Sequence, residues 1–467
     1  MSLGDHLSFD VSAYVGLHPD IFELPGRGAF INNNPGASIL GAVPYALARP
    51  LIDRVVARVQ RARASMPDDE RQYNTIYPLT QEFFRQARAR GLDVKLGLAA
   101  GVMQAFLMAP LSALSAVVMF YLLLSLTQSV RTATFLALLY AFATPVFYRT
   151  AQLNHNLLVS HCALFAFALL WRPWATTAPP RPSWSLWAGL LAGWAVVLDY
   201  SGLVVVGALG CYVVARSLWQ PREQRRPGDV VRFAAGVSLS LVVLLAYQWL
   251  AFGHPLYPAQ SYMPAVAFTD QGYRGMTWPQ ADLLWLTAFD IRYGLFTSAP
   301  LLLLALWVPL WLRRPTRWLG RRELLLVALM TAGFFLFTAA NQYSRLQFNS
   351  GVRHVVPVSP FVFLLAANVL VYLPRPWAVI FSLGGAYWSW CLAMYRDVEQ
   401  GWGVFESLIH VSLEGPRLPW LTTLERMGYL SGSWSLFLLL AAAFVIAALW
   451  GWGAPSQAQR SPVSSSR

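Results

Sequence analysis

The chain has 467 residues, of which 56% are hydrophobic and 12% charged, and its formal net charge is +13. Apolar runs of roughly 20 residues recur along it, which excludes a soluble globular enzyme and predicts an all-α, polytopic bundle of transmembrane helices. Nearly all of the positive charge is arginine, with Lys95 as the only lysine. Arginine is typical of cytoplasmic loops in such proteins, so we expect no nucleic-acid partner.

Residues 1–95 form the first predicted region, an extracytoplasmic first loop with interfacial helices. The apolar run Gly36–Leu47 is too short to span a bilayer and is predicted to be interfacial or re-entrant. Residues 50–64 and 79–91 are amphipathic, which favours helices on the membrane surface. Because an odd number of spans follows, we expect either a further transmembrane helix before Met1 or an N-terminus outside the cell.

Apolar runs predict a transmembrane bundle over 96–452 and a disordered cytoplasmic tail over 453–467. About eleven spans are predicted, at 97–126, 132–148, 155–171, 185–198, 200–216, 233–251, 294–312, 323–340, 355–373, 377–394 and 433–452. The fourth and fifth could instead form one long span. If they are two, turning at Asp199-Tyr200, arginine-rich loops alternate with arginine-poor ones. The arginine-poor face, with the long loops 252–293 and 396–432, is then extracytoplasmic.

Asp199 is the one charged residue of the apolar stretch 184–215. A carboxylate at the bilayer centre would cost about 2.5–3.5 kcal/mol on insertion scales, and such charges mark functional sites by default. A turn at Asp199-Tyr200 moves this charge to the outer end of a helix pair. Asp199 is therefore either an ion-pair partner that orders two helices or a wall of a functional site.

Polar residues from separate parts of the chain are predicted at this same outer face. Carboxylates can take a proton from a hydroxyl, and arginine offers a planar fork that matches phosphate oxygens. The predicted set contains Asp10, Asp20, Asn34, His161, Asp199, Tyr200, Arg292, Arg353 and His354. Structural alternatives stay open for each of them: solvated carboxylates in the first loop, a turn at Asn34, a packing histidine and a snorkelling arginine.

Other patterns in the chain predict packing rather than chemistry. Gly189 and Gly193 have the spacing of close helix packing. Cys162, Cys211 and Cys391 lie in apolar runs and predict small core residues without a disulfide framework. The six-residue spacing of two histidines, 155 and 161, places them on different helical faces, so no metal-ligand motif is seen. No cofactor is assigned, and a divalent metal is left open.

Six segments of the chain, in the same order, resemble integral-membrane glycosyltransferases of the GT-C superfamily, in particular bacterial relatives of the polyprenyl-phosphate-sugar-dependent enzymes. They are NNNPGASILGAVPYAL, ATPVFYRTAQLNHNLLVSHCALFAFALL, GLLAGWAVVLDYSGLVVV, AYQWLAFGHPLYPAQSY, FDIRYGLFTSAPLLLLAL and NSGVRHVVPVSPFVFLL. The chain also departs from the family. Asn33-Asn34 replaces the usual lysine of the Pro-Gly segment, LQFN replaces an aromatic-glycine cluster, and the first transmembrane helix is absent.

The resemblance implies an enzyme of the bacterial inner membrane that transfers a hexosyl or pentosyl group from a polyprenyl-phosphate donor to an extracytoplasmic acceptor of the cell envelope. Asp10 or Asp20, in the first outer loop, would be the general base. Arg353, His354 and Arg292 would hold the lipid phosphate. The residues expected to shape the rest of the substrate site are His161, Asp199, Tyr200 and Asn34.

Two other functions compete with this one. A lipid or solute transporter, or a flippase, predicts polar residues at the midplane and internal symmetry, and neither is evident. A non-catalytic family member acting as a scaffold is slightly favoured by the missing first helix. Membrane lipids are expected partners in every case. The sugar, the acceptor and the oligomeric state are not determined by the sequence.

Overall fold

The computed structural model describes residues 1–65, 72–75, 77–173, 183–219, 225–264, 270–308, 318–347, 352–428 and 433–453. The chain is 73% helical, so the nearly all-α class expected from composition is confirmed. From residue 454 onward, the predicted tail lies outside the described residues.

Four helices are long and apolar enough to cross a membrane: Asp93–Thr127, which contains a π-helical turn at Gln104–Met108, Pro227–Phe252, Arg321–Ala340 and Arg375–Met394. Shorter apolar helices occupy Val130–Phe142, His155–Trp171, Ser183–Leu198, Gly202–Leu218, Ser359–Tyr372 and Ser433–Gly453. These helices coincide with the predicted apolar runs. The count of eleven spans is not confirmed, because length and composition support four.

The fourth and fifth predicted spans are separate helices. Ser183–Leu198 ends before Asp199, and Gly202–Leu218 begins three residues later. Glycine lets the first of them pack closely against Pro227–Phe252. A Cβ atom on Gly189 would lie 2.1 Å from the carbonyl oxygen of Phe233, so no larger side chain fits there. The packing predicted from the glycine spacing is confirmed.

Two predicted spans are interrupted at proline. The run 132–148 divides into Val130–Phe142 and a short helix, Pro145–Arg149. The run 294–312 begins with Leu295–Ser298 and continues as a 3₁₀ helix, Pro300–Trp307, with 309–317 outside the described residues. Proline favours these breaks because it has no backbone N–H for the preceding turn and is well accommodated in the first turn of a helix.

The first region contains helices and, unexpectedly, a β-hairpin. Its longer helices are Gly36–Ala64 and Pro78–Ala89, which cover most of the predicted amphipathic segments. The short helix Ser2–His6 precedes the hairpin, whose strands Ile21–Leu24 and Gly28–Ile31 pair antiparallel. All-α was therefore incomplete as a prediction.

Two phenylalanines of the hairpin pack against the helix bundle. Phe22 and Phe30 are buried, and their ring centroids lie 6.4 and 5.2 Å from that of Phe252, at the end of Pro227–Phe252. They share a core cluster with Val196 and Val197, which lie three and two residues before Asp199. The hairpin thus carries the first-loop residues to the turn that holds Asp199.

Helices outside the apolar runs complete the fold. In the loop 252–293 they are a 3₁₀ turn, Ala259–Ser261, and the helix Ala281–Ala288. In the loop 396–432 they are Val404–Glu414 and Pro419–Arg426. Further 3₁₀ turns are Ser12–Tyr14, Gln342–Arg345 and Val356–Val358.

A candidate anion-binding cavity

A cavity of about 800 Å³ opens at the end of the helix bundle where the first-loop residues lie. Its walls come from five parts of the chain: the loop before the hairpin, the helix Pro78–Ala89, the connection that follows Pro145–Arg149, the pair Gln347 and Arg353, and Glu399. Its polar lining includes His18, Tyr77, Glu82, Gln86, Arg149, Gln152, Asn154, His155, Gln347, Arg353 and Glu399.

Hydrogen-bonded caps at the first residues of two helices hold in place the connection that lines the cavity. Thr144 caps the first, since its hydroxyl accepts a hydrogen bond from the backbone N–H of Val146, and Pro145 occupies the first turn. Asn154 caps the second, with its Oδ1 accepting from the N–H of Leu157 at 2.9 Å. These caps hold Arg149 and His155 at opposite ends of one short connection.

Arg149 is the most deeply buried charged residue of the cavity wall, with 1% of its surface exposed. Its Nη2 donates a hydrogen bond to the carbonyl oxygen of Val352. Burial lowers the pKa of the guanidinium to about 9, and the positive charges of Arg353 and Arg396 contribute to the lowering. Arg149 therefore stays charged at neutral pH in a poorly solvated place, where an anionic ligand would be attracted strongly.

Arg353 is the second guanidinium of the cavity wall. Its backbone N–H donates to Oε1 of Gln347 at 2.9 Å, which anchors the segment that carries it. Burial lowers the pKa of Arg353, while the carboxylates of Asp199 and Asp20 oppose that change. The two carboxylates are therefore close enough to Arg353 to act on its charge, although neither is among the described residues that line the cavity.

Asp199 lies beside the cavity residue His155. Its Oδ2 lies 3.5 Å from Nε2 of His155, and its Oδ1 accepts a hydrogen bond from the N–H of Ser201 at 2.8 Å. The second bond closes the turn between the two helices. Asp199 thus shapes the helix turn and faces the histidine of the cavity wall.

The two first-loop aspartates have different surroundings. Asp20 begins the hairpin, and its Oδ2 lies 3.5 Å from Nδ1 of His18, which lines the cavity. Asp10 instead stabilises the hairpin. Its Oδ1 accepts hydrogen bonds from the backbone N–H of Ala29 at 2.9 Å and from that of Ser12 at 3.0 Å. Hydrogen bonds from Ser12 and Ala29 lower the pKa of the Asp10 carboxyl. The fold brings Asp20, and not Asp10, to the rim of the cavity.

Arg292 and His354, the other two predicted phosphate ligands, have surroundings that differ from those of Arg353. Arg292 makes two hydrogen bonds of 3.1 Å to the carboxylate of Asp290, so a phosphate would have to compete with that carboxylate. Nε2 of His354 is buried, and no hydrogen-bond partner for it lies among the described residues. Burial and the charge of Arg353 lower the pKa of His354 well below its usual range, so the ring is neutral at pH 7.

Three further predicted residues support the site from outside its described lining. Nδ2 of Asn34 donates to the carbonyl oxygen of Val196 at 2.8 Å, which attaches the first loop to the helix that precedes Asp199. The hydroxyl of Tyr200 accepts from Nε2 of Gln248 at 2.6 Å. His161 is buried, with Nε2 3.0 Å from Oγ of Ser112. Their contacts are those of positioning or packing residues.

Sequence reasoning missed several residues of the site. Arg149 lies at the end of a predicted span, where an isolated arginine was the available signal. Arg396 lies beyond another span; its Nε and Nη2 are buried, with no hydrogen-bond partner among the described residues, and burial lowers its pKa to about 10. Tyr77 and Glu399 gave no signal, because only the folded chain brings them to the cavity.

A second opening, an apolar groove of about 400 Å³, lies on the other side of the same connection. Val146, Phe147, Thr150 and Ala151 line the groove, whereas Arg149 and the residues from Gln152 to His155 line the cavity. Most of the groove wall is alanine and aromatic side chains. One short segment therefore separates a charged cavity from an apolar groove.

No family model, curated protein or solved structure matches this chain. Within the described residues, no group of three or more His, Cys, Asp or Glu side chains could hold a metal ion. We therefore infer the function from the geometry of the cavity and the groove.

Proposed function

We propose that the protein is a membrane glycosyltransferase that uses a polyprenyl-phosphate-linked sugar as donor. The observation that carries the proposal is a pair of guanidiniums on the wall of one cavity, that of Arg149, which is buried, and that of Arg353, which is partly buried. Buried cations are costly unless an anion or a hydrogen-bond partner compensates them, and arginine suits phosphate oxygens. A phosphate held here would have the carboxylates of Asp20 and Asp199 close by.

The apolar groove supports a lipid-linked donor over a soluble one. A polyprenyl chain can pass from the bilayer into such a groove at little cost because both surroundings are apolar, whereas a soluble donor would leave the groove empty. The phosphate would reach Arg149 across the short segment from Val146 to Ala151. An amphiphile with one anionic head and one apolar chain therefore fits both openings.

The chemistry expected of this arrangement is inverting transfer. Asp20 is the first-loop carboxylate that we assign as general base, because it acts on Arg353 and pairs with His18 at the cavity rim. It takes the proton of the acceptor hydroxyl while the acceptor oxygen forms a bond to the anomeric carbon. The bond from that carbon to the phosphate oxygen breaks, its electron pair stays on the phosphate, and Arg149 and Arg353 stabilise the resulting charge.

The experiment that tests the proposal combines lipid analysis and binding. Lipids that co-purify with the protein are identified by mass spectrometry, and farnesyl phosphate binding is measured in detergent. We expect bound polyprenyl phosphate, and a Kd for farnesyl phosphate that rises at least about tenfold in Arg353→Gln. Arg131→Gln, an exposed arginine at the start of Val130–Phe142, is the matched control.

Two results would reject the proposal. One is a wild-type protein that binds no farnesyl phosphate and carries no polyprenyl lipid. The other is phosphate-lipid binding together with lipid translocation in vesicles and no sugar transfer, which would favour a flippase.

A further inference from the structure

Glu399 is placed differently from the other carboxylate on the described cavity wall, Glu82. The side chain of Glu82 is 44% exposed and accepts hydrogen bonds from Arg85 and Gln86. Glu399 is partly buried, and its Oε1 accepts a hydrogen bond from the hydroxyl of Tyr293 at 3.0 Å. Because Tyr293 is itself only 4% exposed, its hydroxyl holds the carboxylate in a defined position on the wall.

Tyr77 lies on the same wall and offers a hydrogen-bond donor. Its oxygen is buried against the backbone N–H of Glu399, and no acceptor for its hydroxyl hydrogen lies among the described residues. Burial and the negative charges of Asp397 and Glu399 raise the pKa of this phenol, so it keeps its proton at neutral pH. A buried donor without a partner costs free energy, and a ligand hydroxyl would satisfy it.

Aromatic rings form the surface next to these two polar groups. Phe83 and Phe84 line the cavity, with ring centroids 5.3 Å apart, and Phe84 stacks on Tyr73 at 4.1 Å. A carboxylate acceptor, a phenolic donor and aromatic faces together suit a molecule with several hydroxyl groups on an otherwise apolar ring. The positive charge of Arg292 also acts on Glu399 and offsets part of the charge of its carboxylate. The preference of Glu399 for an ammonium group over a neutral hydroxyl is therefore lower.

We infer that Glu399 and Tyr77 form the binding subsite for a hydroxyl-rich acceptor, at a place on the cavity wall separate from the guanidiniums of Arg149 and Arg353. The inference rests on the proposed function and adds the acceptor to it. Glu399 accepts hydrogen bonds from acceptor hydroxyls, Tyr77 donates one, and Tyr293 positions Glu399. Glu399 is not among the charges that act on Arg149 or Arg353, so we expect loss of either residue of this subsite to weaken acceptor binding and leave donor binding unchanged.

The test compares Glu399→Gln and Tyr77→Phe with the matched control Glu82→Gln. Each purified variant is assayed for farnesyl phosphate binding and for sugar transfer from a polyprenyl-phosphate sugar to membranes of cells that lack the protein. We expect the KM for acceptor membranes to rise about tenfold in both test variants, as for the loss of a hydrogen bond to a charged or buried group. In both test variants the Kd for farnesyl phosphate should change less than about twofold. In Glu82→Gln neither the KM for acceptor membranes nor the Kd for farnesyl phosphate should change more than about twofold.

The possible failures are distinguishable. If either test variant folds and keeps the wild-type KM for acceptor membranes, the inference is wrong and the proposed function stands. If the wild type neither binds farnesyl phosphate nor transfers sugar, the proposed function fails and the acceptor subsite fails with it. Tyr77→Phe removes one oxygen atom only, so it decides the question if Glu399→Gln does not fold.

Discussion

Nε2 of His155 lies 3.5 Å from Oδ2 of Asp199, which joins the start of one helix to the turn between two others. His155 lines the cavity, and Asp199 also acts on the charge of Arg353. Asp199, the carboxylate whose burial in the apolar stretch 184–215 would cost the most free energy, therefore lies beside the candidate site. Its partner is a residue of the cavity wall.

Asp199→Asn is expected to separate the two roles of this carboxylate. The pair with His155 is partly exposed, so its loss should cost no more than about 1 kcal/mol in the free energy of unfolding. Transfer should fall at least about tenfold, because Arg353 loses a nearby negative charge and His155 its partner. Thermal unfolding and kcat/KM are measured beside Asp229→Asn, which breaks a similar pair with Arg232. A lower Tm with normal transfer would instead identify a pair that only orders the helices.

Arg149→Lys is expected to be as harmful to donor binding as Arg149→Gln. The guanidinium can donate to Val352 and still present other N–H groups to a phosphate, whereas an ammonium group on a flexible stem has no such fork. We expect the Kd for farnesyl phosphate to rise about tenfold or more in both variants. Recovery of wild-type affinity by the lysine variant would mean that charge alone matters at this position.

Asp10→Asn and Asp20→Asn distinguish the two first-loop carboxylates. The Asp10 variant keeps a side-chain oxygen for the N–H groups of Ser12 and Ala29, so the hairpin should fold and transfer should persist. The Asp20 variant should lose about 10²-fold in kcat, as expected for removal of a general base. Single-turnover transfer assays on both proteins measure the difference. An inactive, folded Asp10 variant beside an active Asp20 variant would reverse the assignment.

Protonation of His354 should lower the stability of the folded protein at acidic pH. Its pKa is lowered in the folded protein, so the unfolded chain takes up the proton first as the pH falls below about 6.5. Stability from this group is complete above that pH and decreases below it, by at most about 1.4 kcal/mol per pH unit. Thermal unfolding at pH 7.5 and 5.5 should show a smaller difference in His354→Asn than in wild type. The exposed residue His6, changed to Asn, serves as control, and equal pH dependence in all three proteins would exclude this contribution.

Gly189→Ala should destabilise the contact between Ser183–Leu198 and Pro227–Phe252. The added methyl group would lie 2.1 Å from the carbonyl oxygen of Phe233, so the helices must separate, at a cost of about 1–3 kcal/mol. Gly207→Ala is the matched control, since nothing lies within 4 Å of a Cβ atom there. The Tm of the first variant should fall while that of the second stays constant or rises. Equal Tm values would show that the helices adjust without cost.

Although it left the fourth and fifth spans as either two helices or one, the sequence by itself determined the largely helical class, the positions of the apolar helices and the close packing at Gly189. These features depend on local composition and spacing, because a long apolar run must satisfy its backbone hydrogen bonds within a helix. Only the tertiary structure decided which polar residues meet. Arg149, Arg353, Tyr77 and Glu399 come from distant segments, and the short hairpin that holds Asp20 near them is stabilised by aromatic contacts to Phe252. Such contacts have no period along the chain, so the cavity could not be derived from it.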